Sequence, residues 1–151
     1  MMNSSRIGLI CFVLILVWTL HAVAGEVELH VETVLATNTS NEIDQRLTDM
    51  RSQLERTFQY SSYHLVQEVR RRVNWGQQEN FSLPGGRLLQ IIPKAFTNDR
   101  IALQVMLMEG SAPSPLMNAS LSFPNNGMVF FAGRRHQGGV LIIRIGATTE
   151  Q

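Results

Sequence analysis

The side chains able to do chemistry fall into three groups. Glu28, His30 and Glu32 alternate within Glu26-Val-Glu-Leu-His-Val-Glu32, which sets all three on one side of a strand. Two carboxylates and an imidazole on one face make a ligand set for a divalent cation. No second ligand cluster accompanies them, and the wet face of a half-buried strand has the same pattern. We take the latter reading, with no metal and no cofactor. His136 sits in Gly133-Arg-Arg-His-Gln-Gly-Gly139. As the base of a small hydrolase it would need a carboxylate within hydrogen-bond reach, and Asp99 is the only obvious turn acid. A plain polar loop is the simpler account. The chain contains no G-x-S-x-G, H-E-x-x-H, Walker or dinucleotide pattern, so we expect a protein that is not an enzyme.

The third group is basic: Arg70-Arg71-Arg72, and Arg134-Arg135 beside His136. Guanidinium forks match carboxylates, phosphates and anionic lipid heads. Arg70, Arg71, Arg72, Arg134, Arg135 and His136 are therefore the candidate residues for an anion or a partner. The competing account is an edge strand kept from pairing by its charges. Met50, Met106, Met108, Met117 and Met128 lack the close spacing of a soft-metal site and read as core filling.

These groups need elements to hold them. Val27, Leu29 and Val31 alternate with the polar residues of Glu26–Glu32 as one half-buried strand. Thr39 and Glu42 have capping-box spacing. Ile43, Leu47, Met50, Leu54 and Phe58 then recur at helical intervals, which predicts one amphipathic helix of about four turns over residues 42–58. Tyr63–Trp75 fits either periodicity, and its aromatic flanks favour a strand. From Phe81 onward, short apolar runs alternate with turns at Pro84-Gly-Gly86, Asn98-Asp99, Asn125-Asn-Gly127 and Gln137-Gly-Gly139. The runs are Leu88–Ile92, Ile101–Met108, Met117–Phe123, Met128–Ala132 and Val140–Ile145. Phe81–Val105 and Leu121–Ile145 echo each other in sequence, as two meanders of like shape. The expected fold is α+β: one domain, residues 25–151, with the helix on a predominantly antiparallel sheet or curled sandwich. That sheet is expected to come mainly from the stretch after Phe81.

Residues 1–24 read as a cleaved signal peptide. A short basic start ends at Arg6, Ile7–Leu20 is almost wholly apolar, and Ala22-Val-Ala24 offers a cleavage site. Losing this segment removes Arg6 and Cys11, leaving twelve basic against twelve acidic residues and no thiol. Disulfides and thiolate metal sites are then excluded. The dense positive field that nucleic acid demands is absent. The expected location is the periplasm or the outside of a bacterial cell. Membrane association stays open, because Ile7–Ala24 would just span a bilayer if retained. Asn38, Asn80 and Asn118 head sequons that matter only in a eukaryotic secretory route.

Three stretches resemble the β-region of secretins, the ring-forming outer-membrane channels of bacterial secretion and pilus systems. They are Leu88-Leu-Gln-Ile-Ile-Pro93, Asn98-Asp-Arg-Ile-Ala-Leu-Gln-Val105 and Ala119–Gly133. Arg100 stands where that family has a turn glycine, Met128-Val129 where it has threonine, and Arg134 where it has a second glycine. The resemblance covers residues 87–134 and implies an envelope module that assembles with an envelope protein or with itself. The chain is too short for the family's full channel. The other function open to it is binding of an anionic cell-envelope ligand through the arginines.

Overall fold

Alternation in the first strand runs further than its charged face indicates. The computed structural model describes residues 25–150; the signal peptide read over residues 1–24, with Cys11, lies outside the described residues. The strands are β1 (Glu26–Thr37), β2 (Ser62–Asn74), β3 (Glu79–Leu83), β4 (Arg87–Thr97), β5 (Arg100–Glu109), β6 (Met117–Pro124), β7 (Met128–His136) and β8 (Gly139–Thr149). They form two four-stranded antiparallel sheets. The first has the order β2-β1-β8-β7 and the second β3-β4-β5-β6.

The period of two along each strand decides what faces what. Val27, Leu29 and Val31 of β1, with Ile143, Ile145 and Ala147 of β8, point inward. There they meet Leu89 and Ile91 of β4 and Ile101, Leu103, Val105 and Leu107 of β5. These side chains are buried from both sheets at once, so the fold is a sandwich. Each large apolar side chain removed from water contributes about 1.5–3 kcal/mol. β1 is central in its sheet and β8 lies beside it, which explains why β8 reads as a nearly continuous apolar run, buried at Leu141, Ile142 and Ile143.

A second core lies on the outer side of the first sheet. Val34, Ala36, Leu65, Tyr63 and Ile142 are buried there under Leu47, Met50 and Leu54. The apolar stripe predicted for a helix does pack, but the helix is shorter than expected. Gln45–Met50 is a 3₁₀ turn and only Arg51–Thr57 is α-helical (α1). The capping box does not form. Thr39 pairs instead with the Thr37 hydroxyl, and the Asp44 carboxylate accepts from the Arg46 amide. Asp44 also takes the Arg46 guanidinium at 2.6 Å, which holds the start of the segment in a tight turn. Ile43 bridges to Tyr63 before any helix begins. The Tyr63 hydroxyl, fully buried, donates to the Phe58 carbonyl at 2.6 Å and accepts from the Tyr60 amide at 3.3 Å. It ties the end of α1 to β2.

β2 changes register against β1 between Thr33 and Val34. The bulge leaves Val66 unpaired and 47% exposed, and it aligns Leu65 with Val34 under the helix. The internal echo of Phe81–Val105 in Leu121–Ile145 does not survive as two like meanders. β3-β4-β5 stays within one sheet, whereas β6 and β7 belong to different sheets. The crossing turn is held from both sides, since the Asn125 amide donates to Asp99 and the Asn125 side chain bonds both backbone groups of Thr149. The sheets likewise draw on β1 and β2 as well as the stretch after Phe81.

Replacing Tyr63 by Phe should lower stability by about 1–3 kcal/mol by stranding the Phe58 carbonyl and Tyr60 amide, measured by urea unfolding with the sheet circular dichroism of the folded state unchanged. Gly139→Ala should cost about 1–3 kcal/mol or more. Its β-carbon would be forced against the Ala36 carbonyl oxygen; an unchanged urea midpoint would contradict that packing.

Candidate functional site

The two arginine runs do not converge. Arg70, Arg71 and Arg72 lie on β2, one edge of the first sheet, and Arg134, Arg135 and His136 lie on β7, the opposite edge. Strand direction separates them further, because β2 residues 70–72 pair with β1 residues 28–30 while His136 pairs with Gly139 at the other end of β8. A single surface joining both runs does not exist.

The first run is neutralised where it stands. Arg70 and Arg72 flank Glu28 at 3.9 and 3.8 Å, Arg70 also reaches Glu68 at 3.3 Å, and Arg71 reaches Glu79 of the other sheet at 3.7 Å. Beside it, the strand-face trio is rebuilt by the fold. Register sets Glu32 opposite Glu68 on one side and opposite Arg144 on the other. Two carboxylates directly opposed repel. The His30 Nε2 atom lies between them, 2.9 Å from Glu68 and 3.4 Å from Glu32, and Arg144 pairs with Glu32 from β8. Burial pushes the Glu68 carboxyl up, but hydrogen bonds from His30 and Arg70 and the charges behind them hold it below its ordinary value of 4.5.

His30, Glu32 and Glu68 are a metal-capable group, with one ligand atom from each within 4.8 Å of the others. Alternation had grouped His30 and Glu32 with Glu28. Glu68 enters from another strand, and only the register reveals it. Each carboxylate already has an arginine partner, so a cation entering here would compete with Arg70 and Arg144. The charges read best as a ladder running Arg144, Glu32, His30, Glu68, Arg70 and Glu28 across three strands.

The β7 end is arranged differently. His136 points toward the second sheet, and its ring lies over Gly85 in the β3–β4 turn, next to Arg87. Arg87 pairs through Nε with Glu109 at 3.2 Å, its register partner on β5, and Arg134 approaches the other Glu109 oxygen at 3.8 Å. Arg135 has no ion pair among the described residues. A cavity of about 390 Å³ opens beside it, lined by Tyr60, Arg135, His136 and the Gln137–Gly139 turn. Arg87 was missed from the sequence because it is a lone arginine after a turn, and nothing local marks it as buried. Asp99 lies in the turn beyond the far end of β4, roughly 30 Å along the strand from Gly85, so it is no acid–base partner for His136. Among the described residues no helix is long and apolar enough to cross a membrane.

No family model, curated protein or solved structure matches this chain.

The hydrogen bonds of the Arg46 guanidinium and amide hold Asp44 far below its ordinary pKa, and Glu68 is also lowered. Both carboxyls bind a proton less readily in the folded state, so their stabilisation is complete above about pH 4–5. It is lost as pH falls through the lowered folded values. The melting temperature should therefore drop as the solution is acidified below about pH 4, and Glu68→Gln should make that drop shallower. Thermal melts across acid pH check it; identical pH profiles for both proteins would contradict the ladder.

Proposed function

We propose that the protein is an exported, non-enzymatic assembly module of the bacterial cell envelope that joins a second copy of itself through the outer face of its second sheet. The observation that carries this reading is the charge pattern of that face. Its outward cross-strand rows are Ser82-Leu88-Met108, Asn80-Gln90-Met106-Asn118, Ile92-Gln104-Ser120 and Ala95-Ala102-Ser122. None of these positions carries a formal charge; the next rung brings Arg100, whose guanidinium donates to Ser122 at one end of the face. Leu88, Ile92, Met106 and Met108 are half-buried along the two central strands, and the serines and asparagines of the edge strands are exposed.

A sheet face left permanently in water is ordinarily protected by charges that discourage stacking. The first sheet has that protection in its ion-pair ladder; across its centre the second lacks it. Stacked about a two-fold axis through the Gln104–Met106 centre, two copies bring no like charges together there. The methionines adapt to one another's shape, and the amides and hydroxyls at the rim can bond across. Residues 87–134, the stretch resembling secretins, supply β4, β5 and β6 of this sheet. The resemblance and the uncharged surface thus bear on the same half of the molecule. The separation of Asp99 from His136 removes the hydrolase alternative's only pair and supports a non-enzymatic role.

Sedimentation equilibrium should give a monomer–dimer equilibrium that shifts with protein concentration. The double substitution Gln104→Glu with Met106→Glu opposes carboxylates at the centre of the contact and should leave a folded monomer. A wild-type monomer at every concentration, or a dimer indifferent to these charges, would overturn the proposal.

A further inference from the structure

We infer that the cavity between the β7–β8 turn and the chain leading into β2 binds a small organic oxyanion, a carboxylate or a phosphate monoester carried on a flat ring, with Arg135 holding the charged group. The space is there before any ligand arrives. Its volume is about 390 Å³, within the range of about 300–1,000 Å³ usual for small-molecule sites.

Arg135 supplies the charge. It is exposed, lines the cavity and has no ion pair among the described residues. Glu109, the acid within reach of this strand end, is already shared by Arg87 and Arg134. None of the residues lining the cavity is acidic, so no carboxylate within it competes with a ligand for Arg135. A guanidinium stays charged at any working pH, and its fork meets two oxygens of a carboxylate or phosphate at once. The similar run Arg70–Arg72 offers no such opening, since each of its members is already paired.

The walls suit a flat body beside that charge. Two rings, Tyr60 and His136, line the cavity. The Tyr60 amide donates to the buried Tyr63 hydroxyl at 3.3 Å, which fixes the backbone on that side. The His136 imidazole rests against Gly85 of the β3–β4 turn. Between them the turn itself is set. Gln137 and Gly138 have φ of +45° and +78°, the left-handed pair of a two-residue hairpin turn, beyond the last rung His136–Gly139. Gly139 packs so closely on the Ala36 carbonyl that a β-carbon would not fit, which seats the turn on the end of β1. A site whose walls are already in place loses little freedom on binding. The cavity lies at one end of the first sheet, apart from the uncharged face of the second, so the inference stands whether or not two copies associate.

The test follows the backbone amides of the ¹⁵N-labelled protein during titration with sodium benzoate, phenyl phosphate, acetate, phosphate or chloride at matched ionic strength. Saturable shifts centred on Tyr60 and the 135–140 hairpin are expected with benzoate or phenyl phosphate and not with chloride. The one that saturates at the lower concentration distinguishes a carboxylate from a phosphoryl ligand, and it should bind more tightly than the same group without a ring. Arg135→Gln should weaken binding roughly tenfold or more, and Arg72→Gln on the far edge should not. Both arginines are exposed, so neither change disturbs the core. The inference is overturned if no salt saturates, if chloride acts equally, or if the shifts centre elsewhere on the molecule. Affinity that survives Arg135→Gln, or falls as far in Arg72→Gln, overturns it, as does equal binding of acetate and phosphate.

Discussion

The structure depends on β1 lying between β2 and β8. That single placement joins the first described strand to the last, pairing Glu32 with Arg144 from opposite ends of the chain. It leaves β1 hydrogen-bonded on both sides and buried on its inner face. Every other feature takes its position from it. The inner residues Val27, Leu29 and Val31 fix the second sheet against the first. The outer residues divide into a charged half, Glu28 to Glu32, and an apolar half at Val34 and Ala36. The helix can cover only the apolar half, so the charged half has to be satisfied by neighbouring strands.

That division explains the ladder. Register forces Glu32 and Glu68 into opposition, and a sheet cannot slide to relieve it, because a one-residue slip would turn Val27, Leu29 and Val31 outward. Hydrogen-bonding partners must therefore come to the carboxylates. His30 does so from the same strand, Arg144 and Arg70 from the two flanking ones. A chain with nearly equal numbers of basic and acidic residues can thus hold sharply different surfaces: one sheet face crowded with paired charges and the other with none across its centre.

Much of this architecture was legible in the residues. Strict alternation in Glu26–Glu32 and Ile101–Leu107 marked strands correctly, and glycine-rich or asparagine-rich turns bounded β4, β5, β7 and β8. The helix was overdrawn because a stripe at steps of 3 and 4 records which residues must be buried together, and a 3₁₀ turn followed by a short α-helix buries Leu47, Met50 and Leu54 equally well. The local choice was made by Asp44, whose carboxylate captures Arg46 two residues on. The internal echo misled for a related reason. Local hairpin signals say that strands are near one another in sequence, not which sheet receives them, and Asn125 sends the chain across the sandwich.

The candidate sites were legible only as far as the residues lay on one strand. His30 and Glu32 could be grouped by alternation, and Arg134, Arg135 and His136 by adjacency, yet Glu68 and Arg87 come from other strands. Two arginine runs that look alike in sequence also end in opposite states. Arg70 and Arg72 face a strand rich in glutamate and Arg71 reaches Glu79 of the other sheet, so the run is cancelled. Arg134–Arg135 sit where β7 runs past Ala132 into a register shift against β8, at an end of the sandwich where Glu109 is the acidic residue within reach and Arg87 already holds it. A basic run is quenched or left free according to the residue types of the strands its register sets opposite it. For this fold that rule leaves the unsatisfied charge at the His136 end.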